Sequence, residues 1–248
     1  MRHFSFIALV AAIVLVVTGP PLRAGEPLVI QDETEAAEMS VKMPAALSDM
    51  PDLAARLGVD SGRQMRAFAD RAKEAYDQSQ RQDRWRKWSL EIAHEVTFRN
   101  PRVVSVLRRT RFYTGGAHGN VGLDSVIYDR QAGKTLGLDD FFGDVRDGAP
   151  VLKTMAGYAR NILLETLAGA SDPQWIRDGT APERATYKAF TLVPSAEPDK
   201  AGGIAIHFGP YAVAPYAAGP QRVVIPQRVV SDNLTQGWGE LFSGGPAE

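Results

Sequence analysis

The sequence predicts an α+β fold: an antiparallel β-sheet meander with two long helices packed on it. Strands fall in runs joined by short turns, two stretches carry apolar residues at helical spacing, and the helices separate groups of strands instead of alternating with them. The 248 residues are 44% hydrophobic and 23% charged, a composition that can bury a sizeable core. With 28 Lys and Arg against 29 Asp and Glu, the chain has no overall field for capturing nucleic acid or an anionic membrane, so no nucleic-acid partner is expected.

Residues 1–24 predict a secretory signal peptide: Arg2 and His3, an apolar run from Phe4 to Val17, a break at Gly19, Pro20 and Pro21, then Ala24. The run is shorter than the roughly 20 residues of a spanning helix. Leu22, three residues before the expected cleavage, is larger than such sites prefer, which leaves an uncleaved anchor as the alternative. Cleavage would leave 224 residues, with 26 basic against 29 acidic side chains, in a periplasmic or secreted location. The absence of cysteine excludes disulfides, thiolate catalysis and cysteine-ligated metals.

Residues 25–248 are expected to form one domain, with a subdivision near residues 130–150. A first strand is expected near Val29. Ser61 stands where an N-cap belongs, and Met65, Phe68, Ala69, Ala72, Ala75 and Tyr76 predict an amphipathic helix over 62–80. Trp88, Leu90, Ile92, His94, Val96 and Phe98 alternate with polar residues and predict a strand with one wet face. Asn100 and Pro101 supply a turn into a return strand from Val103 to Phe112. With Pro101 at the apex, Phe98 meets Val104, Val96 meets Val106, Leu90 meets Phe112, and Glu91 opposes Arg111. A one-residue slip would set arginines against Leu90 and Ile92.

A glycine-rich loop at 114–119 leads to a third strand from Val121 to Tyr128, closed by a turn around Ala132 and Gly133. Pro150 opens a second helix carrying Leu152, Met155, Ala156, Ala159, Ile162, Leu163 and Leu167, stopped by Gly169. Strands are expected at 186–193, Gly203 to Phe208 and Arg222 to Ile225, with a short helix near 227–236.

Two motifs carry information about function. Tyr113-Thr114-Gly115-Gly116-Ala117-His118-Gly119 places three glycines within five positions, so backbone amides lie uncovered and an anion or ligand could approach the main chain. Equally, the loop could be a tight connection whose histidine caps a carbonyl. It lacks the Lys-Ser/Thr ending of a phosphate loop. Phe208 to Pro220 sets Tyr211 and Tyr216 beside Pro210 and Pro215, a stiff aromatic ledge suited to carbohydrate or protein contact, though either ring could instead pack over a sheet edge.

In this order, the Gly-Gly-Ala-His-Gly loop, the Pro-Tyr segment and Val223-Val224-Ile225-Pro226 resemble the RsiV/PdaC-like family over roughly Leu28 to Leu241; the Leu-Asp-Asp-Phe-Phe stretch before residue 143 fits as well. The resemblance implies an α+β domain outside the cytoplasm. In one relative such a domain is the lysozyme-sensing part of an anti-sigma factor, and in another it precedes a peptidoglycan deacetylase. Only three residues precede the apolar run, and no deacetylase domain follows, so a ligand-binding module alone is expected.

Catalysis finds less support. The histidines of the mature chain, His94, His118 and His207, show no metal-ligand spacing, no serine sits in a Gly-x-Ser-x-Gly elbow, and Asp139, Asp140, Asp144 and Asp147 lack calcium-loop spacing. That acidic run reads as a solvated turn. No cofactor and no metal are expected. The register is expected to bring Arg84 and Arg86, with Lys87, beside Gly116 and His118. The expected function is an exported, noncatalytic binding or sensing domain for a cell-wall glycan or an extracytoplasmic protein. Its ligand-binding residues would be Tyr113, Gly115, Gly116, His118, Tyr211, Pro215, Tyr216, Arg84 and Arg86. A periplasmic hydrolase using His118 is the alternative.

Overall fold

In the computed structural model, which describes residues 26–247, the chain builds two sheets, each backed by a helix and its own apolar core. The signal-peptide reading of residues 1–24 lies outside the described residues. The first sheet holds β1 (Leu28–Glu33), β2 (Ala37–Met43), β3 (Trp88–Arg99), β4 (Val103–Tyr113), β5 (Asn120–Asp129) and β6 (Lys134–Leu136), in that spatial order. All neighbours are antiparallel except β2 and β3. A parallel pair needs a long crossover, and α1 (Pro51–Gln78) supplies it. The fold is α+β, as the sequence predicts.

Helix α1 starts eleven residues before the expected start at 62 and is 28 residues long, with Pro51 in its first turn. Leu53 and Leu57 extend the buried stripe of Met65, Phe68 and Ala72, and this burial outweighs the weak helix propensity of Gly58 and Gly62. Ser61 is therefore no cap: it lies mid-helix, wholly buried. Strand β2 escapes a sequence reading because acidic residues precede it, yet Ala37, Met39, Val41 and Met43 alternate inward with Glu38, Ser40 and Lys42 between them.

The hairpin of β3 and β4 has the expected register, with Leu90 opposite Phe112, Glu91 opposite Arg111 and Val96 opposite Val106. A bulge between Val96 and Phe98 then shifts the pairing by one, so Phe98 faces Ser105 and not Val104. The shift changes the face: Leu90 and Ile92 pack under α1, whereas Phe98 enters the second core.

That second core is built by α2 (Leu138–Phe142), α3 (Pro150–Thr166), α4 (Pro173–Gly179), β7 (Phe190–Pro194), β8 (Ala201–Phe208), β9 (Gln221–Pro226) and α5 (Gln227–Val230). Strand β7 begins four residues later than expected, because Tyr187 turns inward to bond the Thr180 carbonyl. The final helix stops at Val230 and continues as a 3₁₀ turn over Ser231–Asn233. The acidic run is ordered: Asp140 accepts from the Gly137 N–H at the start of α2 and pairs with Lys134, while Asp139 pairs with Arg184.

The sheets meet through β7, an edge strand packed over β3, β4 and β5. An edge strand exposes alternate N–H groups. Here Phe190 N–H goes to the Ser125 hydroxyl at 3.2 Å and Leu192 N–H to the Ser105 hydroxyl at 3.0 Å, so the first sheet satisfies the edge of the second.

Candidate functional site

The loop between β4 and β5 and the aromatic ledge after β8 come together at a single carbonyl. His118 Nδ1 donates to Gly119 O at 2.7 Å, and Tyr216 Oη donates to the same oxygen at 2.8 Å. A carbonyl only accepts, so Nδ1 carries a proton, and Nε2 has no hydrogen-bond partner among the described residues. The His118 and Tyr216 rings stack with centroids 4.1 Å apart and planes 26° apart, and Tyr211 continues the series 5.7 Å from Tyr216. Tyr211 is 48% exposed and His118 is exposed, so a three-ring ledge faces solvent.

Each ring is placed by its backbone. Gly115 has a φ of +87°, which β-carbon sterics disfavour, and a Cβ at Gly119 would come within 3.2 Å of the Phe112 carbonyl oxygen. Pro215 starts the 3₁₀ turn Tyr216–Ala218 that presents Tyr216. Tyr211 itself adopts a left-handed φ of +65°, a strained state that the surroundings must enforce. They do so from below: Trp175 Nε1 donates to Tyr211 O at 3.0 Å, Ser171 Oγ donates to Val213 O at 2.7 Å, and Gly179 lets the Ala212 carbonyl approach to where a Cβ would sit 1.9 Å away. Sequence reasoning missed Trp175 and Ser171. The Asp172 cap followed by Pro173 was the available signal for α4, and the Asp172 side chain does accept from the Gln174 N–H.

The expected basic cluster divides. Arg86 lies over the Tyr113 ring, 5.2 Å from its centroid, beside the loop. The ladder expected to carry Arg84 beside Gly116 and His118 ends at Ser89 opposite Tyr113, and Gln82–Arg84 form a 3₁₀ turn in which Arg84 pairs with Asp83. Lys87 pairs with Glu33. Another arginine follows the ledge in sequence. Arg222 enters β9 directly after it and opposes His207, and Arg109 also bears on that imidazole. Burial pushes the His207 pKa down to about 4, with Arg222 and Arg109 adding to the fall. His207 Nε2 meets the Thr191 hydroxyl at 2.9 Å. Arg111 is held by Glu91, which Lys42 also contacts. His94, under α1, bonds the Lys42 carbonyl through Nδ1 at 3.2 Å, and its Nε2 has no partner among the described residues.

The same residues offer no cluster of three metal ligands and no helix long and apolar enough to cross a membrane. What the ledge can do chemically is present flat π-faces, an imidazole nitrogen and nearby guanidinium charge.

Comparison with known proteins assigns both halves. Residues 30–121 match the family described as Deacetylase PdaC, and residues 139–228 match that described as Protein of unknown function (DUF3298). A curated relative, the peptidoglycan-N-acetylmuramic acid deacetylase PdaC of Bacillus subtilis (strain 168), is 25% identical over 147 residues, which span 59% of this chain and 29% of that protein's length. A solved DUF3298 family member from Bacteroides fragilis NCTC 9343 superimposes with a TM-score of 0.57 at 16% identity, over 88% of this chain and 97% of the other. A DUF3298 family protein from Pseudomonas aeruginosa PAO1 gives 0.57 at 18%, over 92% and 99%. At such identities the solved structures speak for the fold. The two successive family matches, one in each half, make the chain similar to PdaC in its first part and to DUF3298 proteins in its second, consistent with a PdaC/DUF3298-like domain.

Proposed function

We propose that the protein is an exported, noncatalytic binding or sensing domain for a cell-envelope ligand, a glycan or a protein, with the His118–Tyr216–Tyr211 ledge as its contact surface. The observation that carries this reading is the convergence of two segments 97 residues apart on Gly119 O, which leaves aromatic faces turned to solvent. Stiff aromatic rings give contact area at small entropic cost. Arg86, over the Tyr113 ring at the base of the loop, adds positive charge, favouring an acidic ligand and disfavouring a basic protein such as lysozyme. The name of the Bacillus subtilis relative points to peptidoglycan as the first ligand to try. His118 serves by holding the loop, since its Nδ1 proton is committed to a carbonyl.

Titration against peptidoglycan fragments, an anionic polysaccharide and lysozyme, at low and high salt, tests the surface. Salt-weakened binding of the acidic ligand is expected, with Tyr211→Ala and Tyr216→Ala each costing about 1–2 kcal/mol. Affinity unchanged in both variants would remove the ledge from the site. For export, N-terminal sequencing of the mature protein should begin at Gly25, and an intact N-terminus in the membrane fraction would show an anchor.

A further inference from the structure

Strand β6 has only three residues and pairs β5 only from Ile127 to Asp129. At the other end of β5 the ledge closes in, with a Cβ at Gly209 lying 3.8 Å from Val121 O. Between them, among the described residues, the edge of β5 from Gly122 to Val126 carries no strand, about 17 Å of open ladder at 3.4 Å per residue. Its chemistry fits that reading. The N–H groups of Val121 and Ser125 bond the side chains of Asn120 and Asp124, each the preceding residue, at 2.8 Å. Leu123 shares their parity, so its N–H also points away from β4.

Grooves flank this edge on both faces and meet at Val126 and Thr135. On the α1 side lies a cavity of about 480 Å³ beside Leu57, Val59, Arg56 and Arg63, and Val59 is 61% exposed. On the side of the second sheet lies one of about 350 Å³ beside Ile127, Leu136, Phe190, Arg184 and Lys188. The carboxylates at this edge are engaged, since Asp60 and Asp124 both pair with Arg108 and Asp139 pairs with Arg184. Among the described residues Arg56, Arg63 and Lys188 form no ion pair.

We propose that the open edge of β5 binds an extended, acidic segment of another polypeptide, added as a strand in line with β6. Main-chain hydrogen bonds to Leu123 and Ser125 would hold it, the incoming carbonyl taking the Ser125 N–H over from Asp124 Oδ1, and alternate side chains would enter the two grooves, carboxylates reaching Arg63 on one face and Lys188 on the other. This surface is independent of the aromatic ledge.

Amide hydrogen exchange of the whole protein with two blocked pentapeptides, Val-Glu-Val-Glu-Val and Val-Lys-Val-Lys-Val, tests it. The glutamate peptide should slow exchange at Leu123 and Ser125 at least tenfold, and the lysine peptide should not. Arg63→Glu combined with Lys188→Glu, both at exposed positions, should weaken the glutamate peptide at least tenfold and favour the lysine peptide. Leu123→Pro, which removes an N–H that β4 does not use, should abolish protection at Ser125 while Tyr211→Ala leaves it intact. Equal response to the two peptides, no response to the charge reversals, or protection that rises with protein concentration without peptide, as a second copy of the chain would give, overturns the proposal.

Discussion

Gly119 O accepts two hydrogen bonds, and the whole ledge depends on that atom. Tyr216→Phe keeps the ring stack and removes one donor; it should lower stability by about 1 kcal/mol and raise the exchange of loop amides, read by denaturant titration and hydrogen exchange. Gly179→Ala tests the support beneath. Its Cβ would meet the Ala212 carbonyl, so the ledge must shift, with a loss of roughly 2–3 kcal/mol and a changed fluorescence of Trp175, whose indole bonds Tyr211 O. At this scale the sequence revealed the outward-facing groups, His118, Tyr211 and Tyr216, because glycine and proline spacing marks exposed turns. It concealed Trp175 and Ser171, which act on backbone carbonyls and leave no pattern.

Among the elements, α1 shows how a local signal can mislead. Ser61 precedes a helical stripe, as a cap would, yet it sits in the third turn with its hydroxyl buried and unpartnered among the described residues. Ser61→Ala removes that cost and improves helix propensity, so it should stabilise the protein by about 1 kcal/mol in urea titration. The strand alternation of β3 was legible up to Val96, and its register with β4 followed from keeping arginines off the apolar face. The bulge after Val96 was not legible, because period two gives no sign of an inserted residue; only the second core explains why Phe98 is apolar. Likewise β2 and α4 are short elements whose existence is decided by what they pack against.

The molecule as a whole joins two cores through hydroxyl groups, and the second sheet holds a buried histidine. Ser105→Ala would leave the Leu192 N–H without its partner between the sheets, at a cost of about 1–3 kcal/mol, where a substitution at an exposed serine would cost little. His207 contributes to the loss of stability in acid. In the unfolded chain it titrates near 6.5, but in the fold it does so at about 4. The unfolded state therefore binds the extra proton first, and stability is full above pH ~6.5 and falls as the pH drops toward 4, by ~3 kcal/mol in total. Burial depresses His94 as well, adding to the loss in the same direction. His207→Gln should flatten the pH dependence measured by thermal melting between pH 4 and 7. The clasp at Gly119 has a last consequence, for inheritance. Its acceptor belongs to the segment matching PdaC and one donor, Tyr216, to the segment matching DUF3298. A recombination event that parted those segments would pass on neither portion with a complete ledge, so the two must descend together for the surface to survive.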